Sequence, residues 1–383
     1  MKKIFALFLL CSILLLSLIA CENNANGNNE NETIKNGNDT NGDSGDVGST
    51  EKEDNDNTQG DVDSTEKEDN NDTSSGNSNS DFEYQTNSSQ TGILINKYIG
   101  SSEHVVIPSH IDGLPVLSLK GVPHNQQSTA IAEGTFEGKA VKTVVIPETV
   151  TVIGYKCFKD CRELKSLTIA SNSSLTDIRG RSFENCTKIE EIDLSSTQVK
   201  AIGSSAFRGC ANLKSISFSN TLEKIQEKAF YECSSLLEVN FPESLTDVKG
   251  GAFAYCTSLK KIEIPTKLNL TSLDESIFHN VPALKQITFK EGREEITGYA
   301  LLQTDESVEI VVPRSVKRFS PLPFLINPSA HITITFLGDA PEIVENNNPN
   351  WFGNPIVYYN PNTTGWETFV WKDKYEIKPL PQD

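Results

Sequence analysis

A phenylalanine recurs through the middle of this 383-residue chain at intervals of 22 to 25 residues. The seven positions are Phe136, Phe158, Phe183, Phe207, Phe230, Phe253 and Phe278. A short alternating segment precedes each of them, and a second one follows. One such unit has too few apolar residues to enclose a core, so successive units must stack to bury them. The period predicts a repeat solenoid, mainly β, with about 23 residues and two short strands per repeat and little helix.

The residues around each phenylalanine share a motif. It reads Leu-x-x-Ile-x-Ile and then Ile-Gly-x-x-x-Phe-x-x-Cys, and it recurs from about residue 132 to residue 290. This motif resembles the BspA-like class of bacterial leucine-rich repeats. The resemblance implies an adhesin-type binding protein, with host extracellular-matrix proteins or other cells as partners.

Residues 132–330 form the predicted solenoid, and the segments on either side are predicted to cap it. The N-terminal unit, residues 81–131, resembles the opening unit of the family. It lacks the Phe-x-x-Cys signature, which suits a cap with one soluble end. Residues 331–383 depart from the motif, although 332–336 read as one more strand. They are predicted to form the C-terminal cap.

The first twenty residues have the pattern of an export signal. Lys2 and Lys3 precede seventeen residues without a charge, a run that is marginal for crossing a bilayer. The run ends in Leu-Ile-Ala and Cys21, which resembles the lipobox of bacterial lipoproteins. The resemblance implies cleavage before Cys21 and lipidation of its thiol, which would anchor the protein to a membrane. An ordinary secretory signal that happens to end in cysteine is the alternative.

Residues 21–80 are predicted to be a disordered acidic tether behind the lipidated cysteine. Residues 22–80 carry a net charge of −13 out of −18 for the chain, and Ile34, Val47 and Val62 are their only large aliphatic residues. Too little apolar surface is present to offset the entropy of ordering the backbone. As a random coil the tether spans roughly 40–45 Å. A cation-binding acidic tract is the alternative, although its carboxylates would lack a fixed geometry.

Five cysteines lie three residues after a repeat phenylalanine, and stacking places them in one column. They are Cys161, Cys186, Cys210, Cys233 and Cys256. We expect buried, small apolar side chains in a narrow interior. A disulfide between stacked neighbours stays open, because strand spacing permits it. A straight column does not supply the tetrahedron that zinc requires. Cys157 lies outside the column.

The sequence offers little catalytic chemistry. The five histidines show no metal-ligand spacing, and neither a phosphate-binding glycine-rich loop nor a nucleophile elbow is present. The acidic net charge argues against a nucleic-acid binder. We therefore predict no catalytic residue, no metal and no cofactor. Glycoside hydrolysis by two carboxylates distant in sequence stays open as an alternative.

The outward side chains of the strand that contains Leu-x-x-Ile-x-Ile supply a candidate binding face. Its aliphatic residues point inward, and the residues on either side of the middle one point outward in two columns. The face residues are Thr143, Ser166, Thr168, Glu191, Asp193, Ser215, Ser217, Glu238, Asn240, Lys261, Glu263, Gln286 and Thr288. Polar side chains on a rigid ladder favour recognition of an extended protein or glycan. A solvated face without a partner is the alternative.

An aromatic cluster near the C-terminus is a second candidate site. It comprises Trp351, Phe352, Tyr358, Tyr359, Trp366 and Trp371. Aromatic rings there can bind sugars or partner side chains. Covering the end of the solenoid is the favoured interpretation.

Two functions remain. The first is a lipid-anchored, surface-exposed protein of the cell envelope that binds an extracellular protein or glycan through the sheet face. The second is an envelope scaffold, or a glycan-binding or glycan-processing protein, that acts on the producer's own surface. The long tether favours the first, because it carries the solenoid away from the membrane.

Overall fold

The computed structural model describes residues 77–120, 133–268, 277–297, 302–304, 307–320, 324–326, 331–344 and 355–381. The predicted signal, Cys21 and nearly all of the predicted tether lie outside the described residues. Trp351 and Phe352 lie outside them as well. Within the described ranges no helix combines the length and hydrophobicity needed to cross a bilayer.

Short strands dominate the described residues, and the only helices among them are two 3₁₀ turns, Asn79–Asp81 and Trp366–Thr368. The strands are β1 (Phe82–Thr86), β2 (Ile93–Tyr98), β3 (His104–Val106), β4 (His110–Ile111), β5 (Leu114–Leu119), β6 (Thr143–Ile146), β7 (Val152–Ile153), β8 (Ser166–Ile169), β9 (Asp177–Ile178), β10 (Glu191–Asp193), β11 (Ala201–Ile202), β12 (Ser215–Ser217), β13 (Lys224–Ile225), β14 (Glu238–Asn240), β15 (Asp247–Val248), β16 (Lys261–Ile264), β17 (Phe278–His279), β18 (Gln286–Phe289), β19 (Glu295–Ile296), β20 (Leu302–Thr304), β21 (Val308–Val312), β22 (Arg318–Phe319), β23 (Phe324–Ile326), β24 (Ile332–Phe336), β25 (Glu342–Ile343), β26 (Ile356–Tyr359) and β27 (Glu376–Pro379).

The strands alternate between two sides of a β-solenoid, as the sequence predicts. One side carries the face strands, which run parallel to one another. They are β3, β6, β8, β10, β12, β14, β16, β18, β21, β24, β26 and β27. The other side is a continuous sheet from β2 through β15, followed by β19, β22 and β25. The mainly β solenoid with two strands per repeat and little helix is therefore confirmed.

The last repeats add a third strand that the motif does not predict. Strands β17, β20 and β23 pair in parallel at the turn that carries the repeat phenylalanine. The face strands also continue without interruption from β21 into β24, β26 and β27. Strand pairing therefore does not mark the boundary that the motif suggests at residue 330.

The repeat phenylalanines form a buried ladder along the solenoid. Consecutive rings from Phe136 to Phe278 stack with centroids 4.9 to 5.6 Å apart. Tyr98 extends the ladder towards the N-terminus at 5.1 Å from Phe136, and Phe82 lies 5.5 Å beyond it. Because each ring is covered by the rings of the adjacent repeats, burial of the apolar residues depends on stacking, as expected of a solenoid.

The column cysteines are buried and free, so the disulfide alternative is not realised. Each thiol donates to the carbonyl of the phenylalanine one repeat earlier, from Cys161 to Phe136 at 2.9 Å through Cys256 to Phe230 at 3.3 Å. Burial raises the pKa of the Cys161 and Cys210 thiols to about 12. Cysteine suits this position because it fills a small space and supplies a weak donor.

Cys157 belongs to a second buried column, immediately before the phenylalanines. The residues that share this position are small in most repeats, namely Thr135, Cys157, Ser182, Ala206, Ala229 and Ala252, each fully buried. Cys157 therefore lies outside the column of five cysteines because it occupies a different position in the repeat. Burial raises the pKa of its thiol well above the ordinary value.

The turn after each phenylalanine contains a residue in the left-handed conformation, with φ between 52° and 71°. These residues are Gly138, Asp160, Asn185, Gly209, Glu232, Tyr255 and Asn280. Glycine, asparagine and aspartate tolerate this conformation best. The turn reverses the chain and sets the cysteine one residue further on against the preceding repeat.

Two members of the predicted aromatic cluster, Trp366 and Trp371, pack inside the solenoid. Trp366 and Trp371 are 4% and 3% exposed, and both contact Phe336. Phe369 packs against both tryptophans. Tyr358 and Tyr359 stay half-exposed. The two tryptophans therefore complete the core rather than present rings to a ligand.

Candidate binding face

The thirteen face residues occupy two columns that follow the register of the face strands. Thr143 pairs with Ser166, Glu191 with Ser215 and Glu238 with Lys261, and the second column runs in the same way two residues further along. Every one of the thirteen is exposed or half-exposed. The residue between the two columns points inward, as Val144 and Ile262 show at 0% and 1% exposure. The alternation of a half-buried strand places these side chains as the motif predicts.

The columns are longer than the motif indicates. His104 and Val106 precede them on β3, and later strands continue them through Glu309, Thr333, Ile356 and Glu376 in the first column. The second column continues through Val311, Thr335, Tyr358 and Lys378. Alignment of residues 308–312 and 332–336 with the strand part of the motif would have predicted part of this extension. Beyond these strands the phenylalanine signature no longer marks the repeats.

Ion pairs between adjacent repeats border the face. Lys188 Nζ lies 2.6 Å from Glu163 Oε2, and Lys214 Nζ lies 2.6 Å from Glu190 Oε2. The hydrogen bond with Lys214 lowers the pKa of Glu190, and the same contact raises the pKa of Lys214. These pairs are solvent-exposed, so each contributes little to stability. They fix the charges that a partner would meet.

The face is not one continuous ladder of hydrogen bonds. It divides into β3–β6–β8, β10–β12 and the seven strands from β14 to β27. Between β12 and β14 one backbone bond remains, from Leu237 to Lys214 at 3.2 Å. Between β8 and β10 no backbone hydrogen bond is found among the described residues. The rigid, unbroken sheet expected from the motif is therefore interrupted inside the candidate face.

An open notch of about 640 Å³ lies at this interruption. Its lining residues are Lys165, Ser166, Leu167, Lys188, Glu190, Glu191, Asp193 and Asn212. Leu167 is half-exposed there, although the residues at its position on the neighbouring strands, Val144 and Ile192, are 0% and 3% exposed. Three of the predicted face residues, Ser166, Glu191 and Asp193, border the notch. The periodicity alone gave no signal for it.

Two of the described histidines contact side chains of an adjacent repeat. His104 Nδ1 lies 2.9 Å from Thr143 Oγ1, and the ring of His279 packs edge-on against Tyr255 at 5.4 Å. The described residues contain no group of three or more His, Cys, Asp or Glu side chains that could hold a metal ion.

Solved structures of bacterial leucine-rich repeat proteins are similar to this chain. A leucine rich repeat protein of T. pallidum is 24% identical, with a TM-score of 0.38, over 56% of this chain and 85% of that chain. A leucine rich cell surface protein of Faecalibacterium prausnitzii is 19% identical, with a TM-score of 0.29, over 63% and 89%. The pneumococcal vaccine antigen PcpA is 14% identical, with a TM-score of 0.28, over 79% and 96%.

The repeats themselves match a family model. A search of curated protein sequences gives no significant match. The model of the BspA type leucine rich repeat region matches in six copies, over residues 129–231 and 200–328. These matches span more than half of the chain and include the phenylalanine ladder and most of the face strands. The chain belongs to the BspA type leucine-rich repeat family.

Proposed function

We propose that this protein is a cell-surface lipoprotein that binds an extracellular protein through its face strands and catalyses no reaction. Leucine-rich repeat solenoids typically serve as protein-interaction scaffolds. The observation that carries the proposal is the pair of exposed, mostly polar columns in register along parallel strands. Side chains fixed at strand spacing can meet an extended partner at regular intervals.

The anchor and the surface location rest on the first eighty residues. Cys21 would carry the lipid, and the acidic segment behind it would hold the solenoid away from the membrane. Acyl chains bury enough methylene groups to hold a protein at a bilayer when two or more are present. We also propose that residues 81–131 and 331–383 serve as the caps of the solenoid.

The notch argues against glycan processing. Its carboxylates, Glu190, Glu191 and Asp193, all come from the wall formed by β10 and the residue before it. The opposite wall supplies Lys165, Ser166 and Leu167. Glycoside hydrolysis requires two carboxylates that flank the scissile bond. The notch therefore has the composition of a binding site more than of a glycosidase cleft.

Protease treatment of intact producing cells tests the surface location. We expect release of a stable fragment that begins within residues 22–80 and contains the solenoid. Cells that express a cytoplasmic marker protein control for lysis. Complete protection in intact cells, lost when the cells are broken, would contradict the proposal and favour an envelope scaffold.

A further inference from the structure

We propose that the notch between β8 and β10 grips an extended peptide segment of the partner and accepts an arginine or lysine side chain from it. This inference rests on the proposed function, because it identifies which part of the face selects the partner. Three independent features of the notch support it: two backbone groups without a hydrogen-bond partner among the described residues, a half-exposed leucine, and two carboxylates outside the ion pairs of the described residues.

The free backbone groups come from one missing hydrogen bond in an otherwise regular series. The series involves the residue two positions before the inward-pointing residue of each face strand. In six places the amide of this residue donates to the carbonyl of the equivalent residue one repeat earlier, at 2.6 to 3.2 Å. The bonds join Lys142 to Glu103, Lys165 to Lys142, Lys214 to Glu190, Leu237 to Lys214, Lys260 to Leu237 and Lys285 to Lys260. The seventh would join the Glu190 amide to the Lys165 carbonyl, and among the described residues neither group has a hydrogen-bond partner.

The opening is confined to the face. On the turn side the rings of Phe158 and Phe183 stay stacked at 5.1 Å. On the opposite side β7, β9 and β11 remain paired in register. The repeats therefore separate only where the face strands run. The notch is consequently held open by an intact structure on its other sides.

A longer connection in the sequence coincides with the opening. Leu175, the next apolar core residue, lies six positions after Ile169 at the end of β8. The equivalent step is four positions from Ile146 on β6 to Val150, and four positions from Phe218, just after β12, to Leu222. The two additional residues belong to the segment 170–174, which follows the strand that loses its partner.

The backbone of an extended peptide supplies the groups that the notch lacks. Its amide can donate to the Lys165 carbonyl, or its carbonyl can accept from the Glu190 amide, so that one main-chain bond holds the peptide at the rim of the notch. Main-chain bonds of this kind give affinity for any extended segment. The side chains around the notch must then supply selectivity.

The lining selects a long cationic side chain. Leu167 offers an apolar surface for its methylene groups. Among the described residues Glu191 and Asp193 form no ion pair, whereas Glu190 is already paired with Lys214 at 2.6 Å. Glu191 feels the Lys214 charge at longer range, and Asp193 Oδ1 accepts from the Ser195 amide at 2.9 Å. Lys165 on the opposite wall directs a second cation towards β10. A guanidinium or ammonium group therefore finds its partners on the β10 wall.

Peptide binding to the full chain tests the inference. The probes are three acetylated and amidated pentapeptides, TVRVT, TVQVT and TVEVT, which differ only at the central residue. We expect the arginine peptide to bind at least five-fold more tightly than the glutamine peptide, with the glutamate peptide weakest. The double variant Glu191→Gln and Asp193→Asn should lose this order.

A matched variant on the same two columns controls for charge. Glu238→Gln with Glu263→Gln removes two exposed carboxylates outside the notch, and we expect it to preserve the order. Equal affinity of the wild-type chain for all three peptides, or an equal loss of the order in both double variants, would overturn the inference. Protease release of the solenoid from intact cells would still support the proposed surface location in that case. Protection from protease would refute that location whatever the peptides show.

Discussion

Left-handed turn residues and buried thiols carry much of the individual chemistry of each repeat. The turn needs a positive φ two residues after the phenylalanine, and five of the seven residues there are Gly, Asn or Asp. The thiol needs a carbonyl one repeat earlier, which stacking supplies. The role of a single residue of the motif can therefore be predicted only when the residue that it contacts in the adjacent repeat is known.

Gly138 offers a clean test of the turn conformation. Its φ is +71°, and a Cβ atom there would meet nothing within 4 Å, so only the backbone conformation penalises a side chain. We expect Gly138→Ala to lower the free energy of unfolding by about 1–2 kcal/mol. Gly138→Asn should cost less, because asparagine tolerates this conformation. Equal stability of the wild type and both variants in urea unfolding would contradict the assignment.

The buried thiols predict a loss of stability in alkaline solution. Burial raises the pKa of Cys210 from 9.0 to about 12, so the folded state keeps a proton that the unfolded state releases. The stabilisation is complete below about pH 9 and is lost as the pH rises towards 12. We expect the free energy of unfolding under reducing conditions to fall across this interval. The Cys210→Ala variant should decline less steeply, by up to about 1.4 kcal/mol per pH unit. Identical slopes would contradict the prediction.

The elements show which parts of the fold are contained in the sequence. The period of the phenylalanines predicts two strands per repeat, because a recurring apolar pattern fixes which side chains must face the interior. It does not predict the third strand at Phe278–His279, since a turn becomes a strand only through pairing with later repeats. The inward and outward alternation of the face was also predictable from the period of two.

Departures from the repeat were harder to predict. Arg293 lies four residues after Phe289, which is the position that the core residues Leu245 and Leu268 hold after Phe241 and Ile264. It is 9% exposed, and its Nη2 donates to the carbonyls of Pro265 and Leu268 at 2.8 and 2.7 Å. Burial lowers the pKa of its guanidinium. The carbonyls satisfy the Nη1 and Nη2 groups, whereas the buried Nε has no partner among the described residues. Neither the carbonyls nor the unsatisfied Nε can be located without the structure.

The length of the connection after β8 gives a prediction for the face. Deletion of Ser171 and Asn172, which are both exposed, would restore the four-residue step found in other repeats. We expect the Glu190 amide to form its missing hydrogen bond with Lys165 and to exchange with solvent more slowly. The Lys214 amide, already bonded to Glu190 at 2.8 Å, provides the internal control. Unchanged exchange at Glu190 would show that another feature opens the notch.

At the scale of the whole molecule, charge and repeats are separated along the chain. Residues 22–80 hold −13 of the net charge, and residues 81–383 hold −7, whereas the first twenty carry +2. The folded repeats are therefore only mildly acidic and need no basic partner as a whole. Local features of the face, including its notch, must then determine what it binds.

The lipid anchor makes a prediction about Cys21. We expect Cys21→Ser to abolish incorporation of labelled fatty acid into the protein, because the thiol is the proposed acceptor. Cys11→Ser removes the other cysteine of the first twenty-one residues and should leave labelling unchanged. Equal labelling of both variants would place the lipid elsewhere or remove it from the account.

Attachment of the purified chain to surfaces coated with extracellular-matrix proteins tests the central claim most directly. The decisive comparison is between a face variant, Lys261→Glu with Glu263→Lys, and a variant of the opposite sheet, Lys224→Glu with Asp247→Lys. The face variant exchanges two opposite charges within β16, and the opposite variant exchanges two on the paired strands β13 and β15, so both leave the net charge unchanged. The account predicts that the face variant attaches at least ten-fold more weakly than the wild type and that the opposite variant attaches normally. Equal attachment of all three proteins, or loss only in the opposite variant, would contradict binding through the face.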